Sequence, residues 1–333
     1  MQVPQYSTGR RSRAPGARLI AVVLAALVAA MLVAACGSSN KSSTSGGTST
    51  GAAPAASSQP GKGKPALTLG TKDFTEEFIL GQLYKQALEA KGYTVNYKEN
   101  IGATEVIDKA LTSGKIDAYP EYTGESAVTV AGSKATAKTP QQEYDIAKAF
   151  YDKRGQAMSQ MTPFFDVDAI ATTKAYAQKN GLTSLDDLKK LSHWTLGARP
   201  EFKGRAQGAE GLKKEYGLNN FSFKSLAFGL QYQALDSGAI QGGDVFTTDP
   251  QLASGKYTLL KDPKNIFGFQ NIALVIDKDK LQQLGGQQFM DIIDSVNKLL
   301  TNEAVIAMNK AVAIDKKSAA AVAQQFLQAN NLT

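Results

Sequence analysis

Two matching segments, separated by about a third of the chain, constrain the fold of this sequence more than any other feature. Residues 110–116 read Ala-Leu-Thr-Ser-Gly-Lys-Ile, and residues 234–240 read Ala-Leu-Asp-Ser-Gly-Ala-Ile. Each has the form of a helix end, because a glycine after the last turn takes the left-handed conformation that stops a helix, and each continues into a strand-like stretch. The same alignment, without a gap, places Tyr122-Thr123 opposite Phe246-Thr247. An aromatic residue followed by threonine therefore ends a helix–strand unit twice.

This repetition predicts an α/β protein with two lobes. Strand-like and helix-like stretches alternate from about residue 65 to the carboxyl terminus, which is the pattern of α/β folds. Open α/β sheets bind ligands at the loops that follow the carboxyl ends of their strands. We therefore expect Tyr122 and Phe246 to lie near a ligand, one in each lobe. The alternative is a chance match, since Ala-Leu-x-Ser-Gly is an ordinary helix ending.

The amino terminus has the composition of a bacterial lipoprotein leader. Residues 1–18 contain four arginines and no acid, and residues 19–33 form an apolar run of the length of a signal-peptide core. The small residues Val33-Ala34-Ala35 before Cys36 resemble a lipobox, where such proteins are cleaved and lipidated. We predict a signal peptide over residues 1–35 and a lipid on Cys36, which would hold an extracytoplasmic protein to the membrane without spanning it.

Residues 36–64 are rich in serine, glycine and threonine and predict a flexible tether, so that the folded part begins near Pro65. Roughly 270 residues remain, which is enough for two lobes with a core each. The formal net charge is +7, and removal of the four leader arginines leaves +3. This mild charge, without basic runs that contain aromatic residues, argues against a nucleic-acid partner.

An enzyme is not favoured by the residue inventory. His193 is the only histidine and Cys36 the only cysteine, so a histidine-based triad or metal cluster and a thiolate zinc site are not expected. A pair of catalytic carboxylates is not excluded by composition, although no spacing singles one out. A structural or adhesive lipoprotein would show short repeats or an all-β pattern, which this sequence lacks. We expect no metal and no cofactor.

Local patterns predict three details of the fold. Asp73 and Glu76 have the spacing of a capping box, which would leave Lys72 on a loop at a helix amino terminus, either as part of an anion site or as a solvated lysine. Thr104 is expected to cap the helix that runs to residue 113. Residues 164–172 have the character of a strand.

Six segments, in this order, resemble the glycine betaine/carnitine/choline-binding proteins of osmoprotectant ABC transporters. They are residues 70–76, 102–106, 116–124, 201–205, 229–235 and 246–249. The Tyr-Pro-Glu-Tyr-Thr-Gly run at residues 119–124 is the most specific of them. The resemblance implies a two-lobed type II periplasmic-binding-protein (Venus flytrap) fold, with the ligand in the cleft and hinge crossovers near residues 166–172 and 269–276. It divides the chain into residues 65–168 of the first lobe, residues 169–271 of the second lobe, and residues 272–333, which return to the first.

The resemblance also implies a ligand site. The family surrounds a quaternary ammonium with tyrosines, and Tyr122 and Tyr232 match such positions, whereas Phe246 stands where the family often has another tyrosine. Lys72 and Arg205 match the positions that hold the ligand's carboxylate. The ligand-binding residues that we predict are Lys72, Thr104, Tyr122, Glu125, Asp168, Arg205, Tyr232, Phe246 and Thr247.

Two of these residues depart from the family pattern. Asp168 stands where a cage tyrosine is usual, and Glu125 stands where threonine is frequent. Either both acids face the cleft and favour a cationic ligand or a larger zwitterion with an N–H group, or the alignment is shifted by a residue and both lie on the surface.

The function that the resemblance implies is solute capture for import. We expect a monomeric, lipid-anchored extracytoplasmic protein that delivers a glycine betaine, choline or carnitine type of solute to an ABC permease and its ATPase. The alternative is a receptor of the same fold for a different zwitterionic or cationic metabolite, because of Asp168 and Glu125.

Overall fold

The computed structural model describes residues 59–134 and 137–333. The predicted signal peptide, Cys36 and the tether as far as residue 58 lie outside these ranges. Within them, every helix is too short or too polar to cross a membrane. The last residues of the predicted tether belong to the fold, because residues 60–63 form a turn in which the Gly61 N–H donates to the Lys91 carbonyl at 3.0 Å.

Strands and α-helices alternate along the described residues. In chain order they are β1 (Leu67–Gly70), α1 (Thr75–Ala90), β2 (Val95–Lys98), α2 (Thr104–Thr112), β3 (Ala118–Tyr122), α3 (Pro140–Lys153), β4 (Gln156–Met158), β5 (Asp168–Thr173), α4 (Lys174–Asn180), β6 (Trp194–Ala198), α5 (Ala209–Tyr216), β7 (Phe221–Ser225), α6 (Gln231–Asp236), β8 (Gly242–Phe246), β9 (Tyr257–Leu259), β10 (Ile272–Asp277), α7 (Lys278–Leu284), α8 (Gln287–Asn297), α9 (Asn302–Ala313) and α10 (Ala319–Ala329). A π-helical segment, Glu125–Val130, follows β3, and short 3₁₀ helices are Leu185–Lys190, Pro200–Lys203 and Pro250–Ser254.

The strands form two five-stranded sheets with the same plan. The strand order is β2-β1-β3-β10-β4 in the first sheet and β7-β6-β8-β5-β9 in the second. The central strand of the first sheet, β3, is parallel to β1 and antiparallel to β10. The central strand of the second sheet, β8, is parallel to β6 and antiparallel to β5 in the same way. The parallel pairs join Leu69 to Ala118 and Leu196 to Gly242, so that β3 and β8 begin at aligned positions of the sequence repeat. The repeat is therefore structural, and the α/β prediction is confirmed.

The helix ends of the repeat also match in detail. Gly114 and Gly238 have φ angles of 68° and 73°, which glycine adopts without strain. The Ile116 N–H donates to the Ala110 carbonyl at 3.3 Å, and the Ile240 N–H donates to the Ala234 carbonyl at 3.2 Å. These bonds end the helix and direct the chain into the next strand in both halves.

Hydrophobic layers cover both faces of each sheet. Along β10, Ile272, Leu274 and Ile276 pack on one side with α1 and α8, whereas Ala273 and Val275 pack on the other with residues of α2 and α3. The second sheet has an equivalent pair of layers. Because α8 and α10 also join the layer that contains α1, the carboxyl-terminal helices belong to the first sheet.

The chain passes between the sheets twice. It leaves the first sheet after β4, enters the second at β5, and returns between β9 and β10. The two crossing segments lie side by side, because Phe165 and Asn271 form an isolated antiparallel bridge and the Asp166 N–H donates to the Gln270 carbonyl at 3.1 Å. Two lobes joined by two paired crossings form the fold that the resemblance implied.

Three local predictions were wrong. The strand expected from residue 164 begins only at Asp168, because the preceding residues belong to the crossing segment. No capping box joins Asp73 and Glu76: the residue before α1 is Phe74, which makes no side-chain cap, and the Glu76 carboxylate is buried among other partners. Thr104 is the first residue of α2 rather than its cap, a position that Ala103 occupies.

Candidate functional site

A cavity of about 450 Å³ lies between the two sheets. Seven of the nine predicted ligand-binding residues line it, and they are Lys72, Thr104, Tyr122, Glu125, Asp168, Arg205 and Phe246. The cavity is also lined by residues that the sequence analysis did not select, among them Phe74, Asp166, Arg199, Glu201 and Phe228. Both acids that depart from the family pattern, Glu125 and Asp168, therefore face the cavity.

Strand ends place these side chains. Tyr122 is the last residue of β3 and Phe246 the last residue of β8, as the sequence repeat predicts. Asp168, at the start of the antiparallel neighbour β5, pairs directly with Phe246. The cavity therefore lies where the carboxyl ends of the two central strands face each other.

Four aromatic side chains, Phe74, Tyr122, Phe228 and Phe246, line one side of the cavity, and we call them the aromatic wall. The ring centroid of Phe74 lies 5.3 Å from that of Phe246, 5.5 Å from that of Phe228 and 6.0 Å from that of Tyr122. The Phe228 and Phe246 centroids are 5.4 Å apart. These spacings are typical of aromatic packing, so the rings present a continuous apolar and quadrupolar surface.

Lys72 is buried and already paired. Its ammonium group donates to the carboxylate of Glu121 and lies 4.7 Å from the ring centroid of Tyr122. Glu121 also accepts from the Tyr122 N–H at 2.6 Å. Burial raises the pKa of Glu121, and the charge of Lys72 opposes that rise. Lys72 is therefore neither a solvated lysine nor a group without a counter-ion.

Asp168 has an internal partner of its own. The Arg199 guanidinium donates to its two carboxylate oxygens at 3.0 and 3.3 Å. The same guanidinium carbon lies 4.6 Å from the ring centroid of Phe246, an arrangement that stacks the cation on the aromatic wall. Sequence reasoning missed Arg199; its only signal was its position directly after β6, before Pro200.

Arg205 bridges the cleft. Its Nε and Nη2 atoms donate to Glu105 at 3.2 and 2.9 Å, and its Nη1 atom donates to Glu125 at 3.1 Å. Glu105 lies on α2 and Glu125 follows β3, whereas Arg205 follows β6 of the second sheet. Burial lowers the pKa of Arg205, but these acids outweigh that effect and raise it. The guanidinium is therefore a fixed cation held by both lobes.

The two remaining predicted residues lie outside this cavity. Tyr232 lines a second cavity of about 360 Å³, where its hydroxyl donates to Asp249 at 2.7 Å and its ring packs 5.0 Å from that of Tyr257. Thr247 is turned toward the first crossing, where its hydroxyl accepts from the Val167 N–H at 2.9 Å and lies 3.3 Å from Asp166. The fold uses both residues to hold the loop after β8.

Three acids, Glu76, Asp166 and Asp249, line the second cavity, and Asp166 lines the first cavity as well. Glu76 accepts from Tyr122 at 2.8 Å, from Thr248 at 2.7 Å and from Asn309 at 2.8 Å. Burial raises the pKa of Glu76 and, more strongly, that of Asp166. Burial also raises the pKa of Asp249 to about 6, although Tyr232 and the Phe246 N–H donate to its carboxylate. Ionisation of this cluster therefore opposes folding.

The Asp249→Asn variant is expected to be more stable than the wild type at pH 7, by about 1–3 kcal/mol, and equally stable near pH 4. A carboxyl whose pKa is raised in the folded state binds its proton more tightly there, so the wild type loses stability as pH rises from about 4 to 6. The amide oxygen keeps an acceptor for Tyr232 and for the Phe246 N–H. Urea unfolding at both pH values measures the difference.

Asp236→Asn is the matched control, because Asp236 accepts from the hydroxyl of Tyr257 at 2.8 Å in an exposed pair. Its unfolding free energy should change by less than about 0.5 kcal/mol at either pH. A stability gain of Asp249→Asn that does not depend on pH would contradict the expected ionisation.

Two α/β lobes, two paired crossings and a cleft lined by aromatic and charged side chains define the class of type II periplasmic solute-binding proteins. A family model described as the substrate binding domain of the ABC-type glycine betaine transport system matches residues 65–329. The chain belongs to this family, whose members are the substrate-binding parts of ABC transport systems. Such proteins lie outside the cytoplasm and act together with a permease in the membrane.

Known proteins agree with this assignment. A glycine-betaine-binding protein of Pseudomonas aeruginosa is 30% identical over 280 residues, which cover 80% of this chain and 88% of that protein. An ergothioneine transport permease/ergothioneine binding protein, EgtU, of Helicobacter pylori is 29% identical over 265 residues, or 79% of this chain. The match spans only about half of that longer protein, 47%.

A solved structure has the same fold. A crystal structure described as a glycine betaine/carnitine/choline ABC transporter superposes with a TM-score of 0.65 and 23% identity, and the match covers 80% of this chain and 99% of that one. At this identity the similarity concerns the fold.

Proposed function

We propose that this protein binds a small solute with a quaternary or similarly bulky ammonium group in the 450 Å³ cavity and delivers it to an ABC permease with its ATPase. The observation that carries this proposal is the aromatic wall. A trimethylammonium group has no N–H to donate, so aromatic faces must supply the attraction, at about 0.5–2 kcal/mol for each desolvated ring. The related glycine-betaine-binding protein supports the same ligand class.

A receptor for a different metabolite is the second candidate, and the acids of the cavity favour it. Asp73, Glu125, Asp166, Asp168 and Glu201 all line the cavity, together with three basic side chains. This excess of carboxyl groups suits a cation, or a zwitterion with additional N–H donors, better than a compact betaine. The ergothioneine-binding relative is consistent with such a ligand.

The proposed mechanism is closure of two lobes around the solute. In this scheme residues 65–168 and 272–333 form one lobe, residues 169–271 form the other, and the paired crossings act as the hinge. The ligand first docks against Tyr122 and Phe74, and closure then brings Phe228 and Phe246 beside these rings, which completes the aromatic wall against the ammonium group. The permease recognises the closed form, and no covalent chemistry takes place.

We further propose that the signal peptide is removed before Cys36, that a lipid on Cys36 anchors the protein to the outer face of the cell membrane, and that the protein acts as a monomer. Mass spectrometry of the membrane fraction would detect the modification. An unmodified Cys36 in membrane-bound protein would contradict the anchor without affecting the ligand site.

Isothermal titration calorimetry of residues 59–333 tests the function. Glycine betaine, choline, carnitine, proline betaine and ergothioneine are titrated in parallel, with trimethylammonium-free ethanolamine as a negative control. Saturable one-to-one binding of at least one of glycine betaine, choline, carnitine and proline betaine is the expected result. Binding of ergothioneine alone would favour the second candidate, and absence of binding by every compound would overturn the proposal.

A further inference from the structure

Carboxylates of the protein already occupy three of the five N–H donors of the Arg205 guanidinium. Both donors of one edge reach Glu105, and the remaining nitrogen reaches Glu125. This is the bidentate arrangement that arginine uses for carboxylates. A ligand carboxylate could take the bidentate position on Nε and Nη2 only by displacing Glu105, and the bond to Nη1 only by displacing Glu125.

Glu125 is held firmly at this position. Its N–H donates to the side-chain oxygen of Gln270 at 3.1 Å, and it begins the π-helical segment Glu125–Val130. A Cβ atom on the preceding residue, Gly124, would come within 2.7 Å of the Gln270 side chain, so glycine permits this close approach. Glu125 is only 6% exposed, and its second carboxylate oxygen has no hydrogen-bond partner in the described part of the chain. Its charge is therefore confined to the cavity wall.

The other two basic groups of the cavity are neutralised in the same way. Lys72 is paired with Glu121, and Arg199 is paired with Asp168. An incoming carboxylate would therefore meet no unpaired cation among the lining residues that the structure describes. It would also approach the second carboxylate oxygen of Glu125, which has no partner among the described residues, at a cost in free energy.

We propose that Glu125 determines ligand specificity: its carboxylate occupies Arg205 in place of a ligand carboxylate, so the site selects an ammonium compound that lacks a carboxylate over a zwitterion with the same head group. The protein thus supplies the anion that joins the two lobes. This inference rests on the proposed function and narrows it to one charge class of ligand.

Choline and glycine betaine form the matched pair of probes, because both carry a trimethylammonium group and they differ in a hydroxymethyl group against a carboxylate. In wild-type residues 59–333 we expect choline to bind at least about tenfold more tightly than glycine betaine. This ratio corresponds to about the free energy of one charge-assisted hydrogen bond. Calorimetry in low-salt buffer at pH 7 measures both affinities.

The Glu125→Gln variant removes the charge and keeps the shape of the side chain. It should raise the affinity for glycine betaine by about tenfold and leave that for choline equal or weaker, so that the preference narrows or reverses. Glu125→Thr provides a second variant with a short polar side chain, and thermal unfolding confirms that each variant is folded. Glu89→Gln, on the exposed side of α1, is the control and should leave both affinities unchanged.

The outcomes separate this inference from the function on which it rests. Glycine betaine binding as tightly as choline in the wild type would overturn the role of Glu125 and leave the proposed function intact. An unchanged affinity ratio in both folded Glu125 variants would do the same. If neither probe and no other quaternary ammonium compound binds the wild type, the proposed function fails, and the inference fails with it.

Discussion

Lys72→Met is expected to lower the free energy of unfolding by about 3–5 kcal/mol. The substitution removes the cation that neutralises Glu121, a completely buried carboxylate whose second oxygen already lacks a partner among the residues that the structure describes. Methionine fills a similar volume, so the loss comes from the uncompensated charge rather than from a void. Urea unfolding at pH 7 measures the effect.

The destabilisation should depend on pH. Without Lys72 the folded-state pKa of Glu121 rises further, so the folded variant binds a proton at Glu121 that the unfolded chain releases. The stability deficit is therefore largest at neutral pH and shrinks as the pH falls toward 5. The double variant Lys72→Met/Glu121→Gln should recover much of the loss at pH 7.

Lys85→Met provides the matched control, because Lys85 forms an exposed helical pair with Glu89 at 2.7 Å. Such pairs contribute about 0.3–0.5 kcal/mol. If Lys72→Met costs no more than Lys85→Met, the buried pair does not stabilise the fold in the way that its burial implies.

The second large effect concerns the aromatic wall. The double variant Phe228→Leu/Phe246→Leu should weaken binding of a quaternary ammonium ligand by about 2 kcal/mol, or about thirtyfold. Leucine keeps an apolar side chain at each position but removes the ring face that attracts the cation. Phe228 is only partly buried on its loop, so its single substitution should have little effect on folding.

Calorimetry with the best ligand of the wild type measures this loss, and circular dichroism confirms the fold. Phe221→Leu is a control aromatic substitution, since Phe221 packs against Trp194 at a centroid distance of 5.1 Å, outside the residues that line the cavity. An affinity unchanged within twofold in the double variant would mean that the cation does not lie against these rings.

The sequence predicted the parts of the fold that depend on local pattern. The alternation of helices and strands, the helix ends at Gly114 and Gly238, and the strand ends at Tyr122 and Phe246 are all set by residues within a few positions of each other. Because the two units repeat with the same spacing, the sequence also predicted that Tyr122 and Phe246 end equivalent helix–strand units.

The features of the site that the sequence did not predict depend on contacts between residues that are distant in the chain. Phe74 and Phe228 belong to the aromatic wall only because the two lobes meet, although they are 154 residues apart in the sequence. The pairing of Arg205 with Glu105 spans the cleft in the same way. Tyr232 had the residue type expected of the cavity, but its hydrogen bond to Asp249 directs it behind the wall. Neither residue type nor spacing carries this information.

The crossing segments and the ion pairs of the cleft differ in their sensitivity to dissolved salt. Backbone hydrogen bonds tie Asp166 to Gln270, and bonds of this kind are almost independent of ionic strength. The bond between Arg205 and Glu105, whose side chain is half-exposed, is screened as the Debye length shortens from about 10 Å at 0.1 M to about 3 Å at 1 M. Added salt therefore weakens the contact of Arg205 with Glu105 across the cleft and leaves the paired crossing segments joined, so the proposed closure of the lobes would depend on ionic strength.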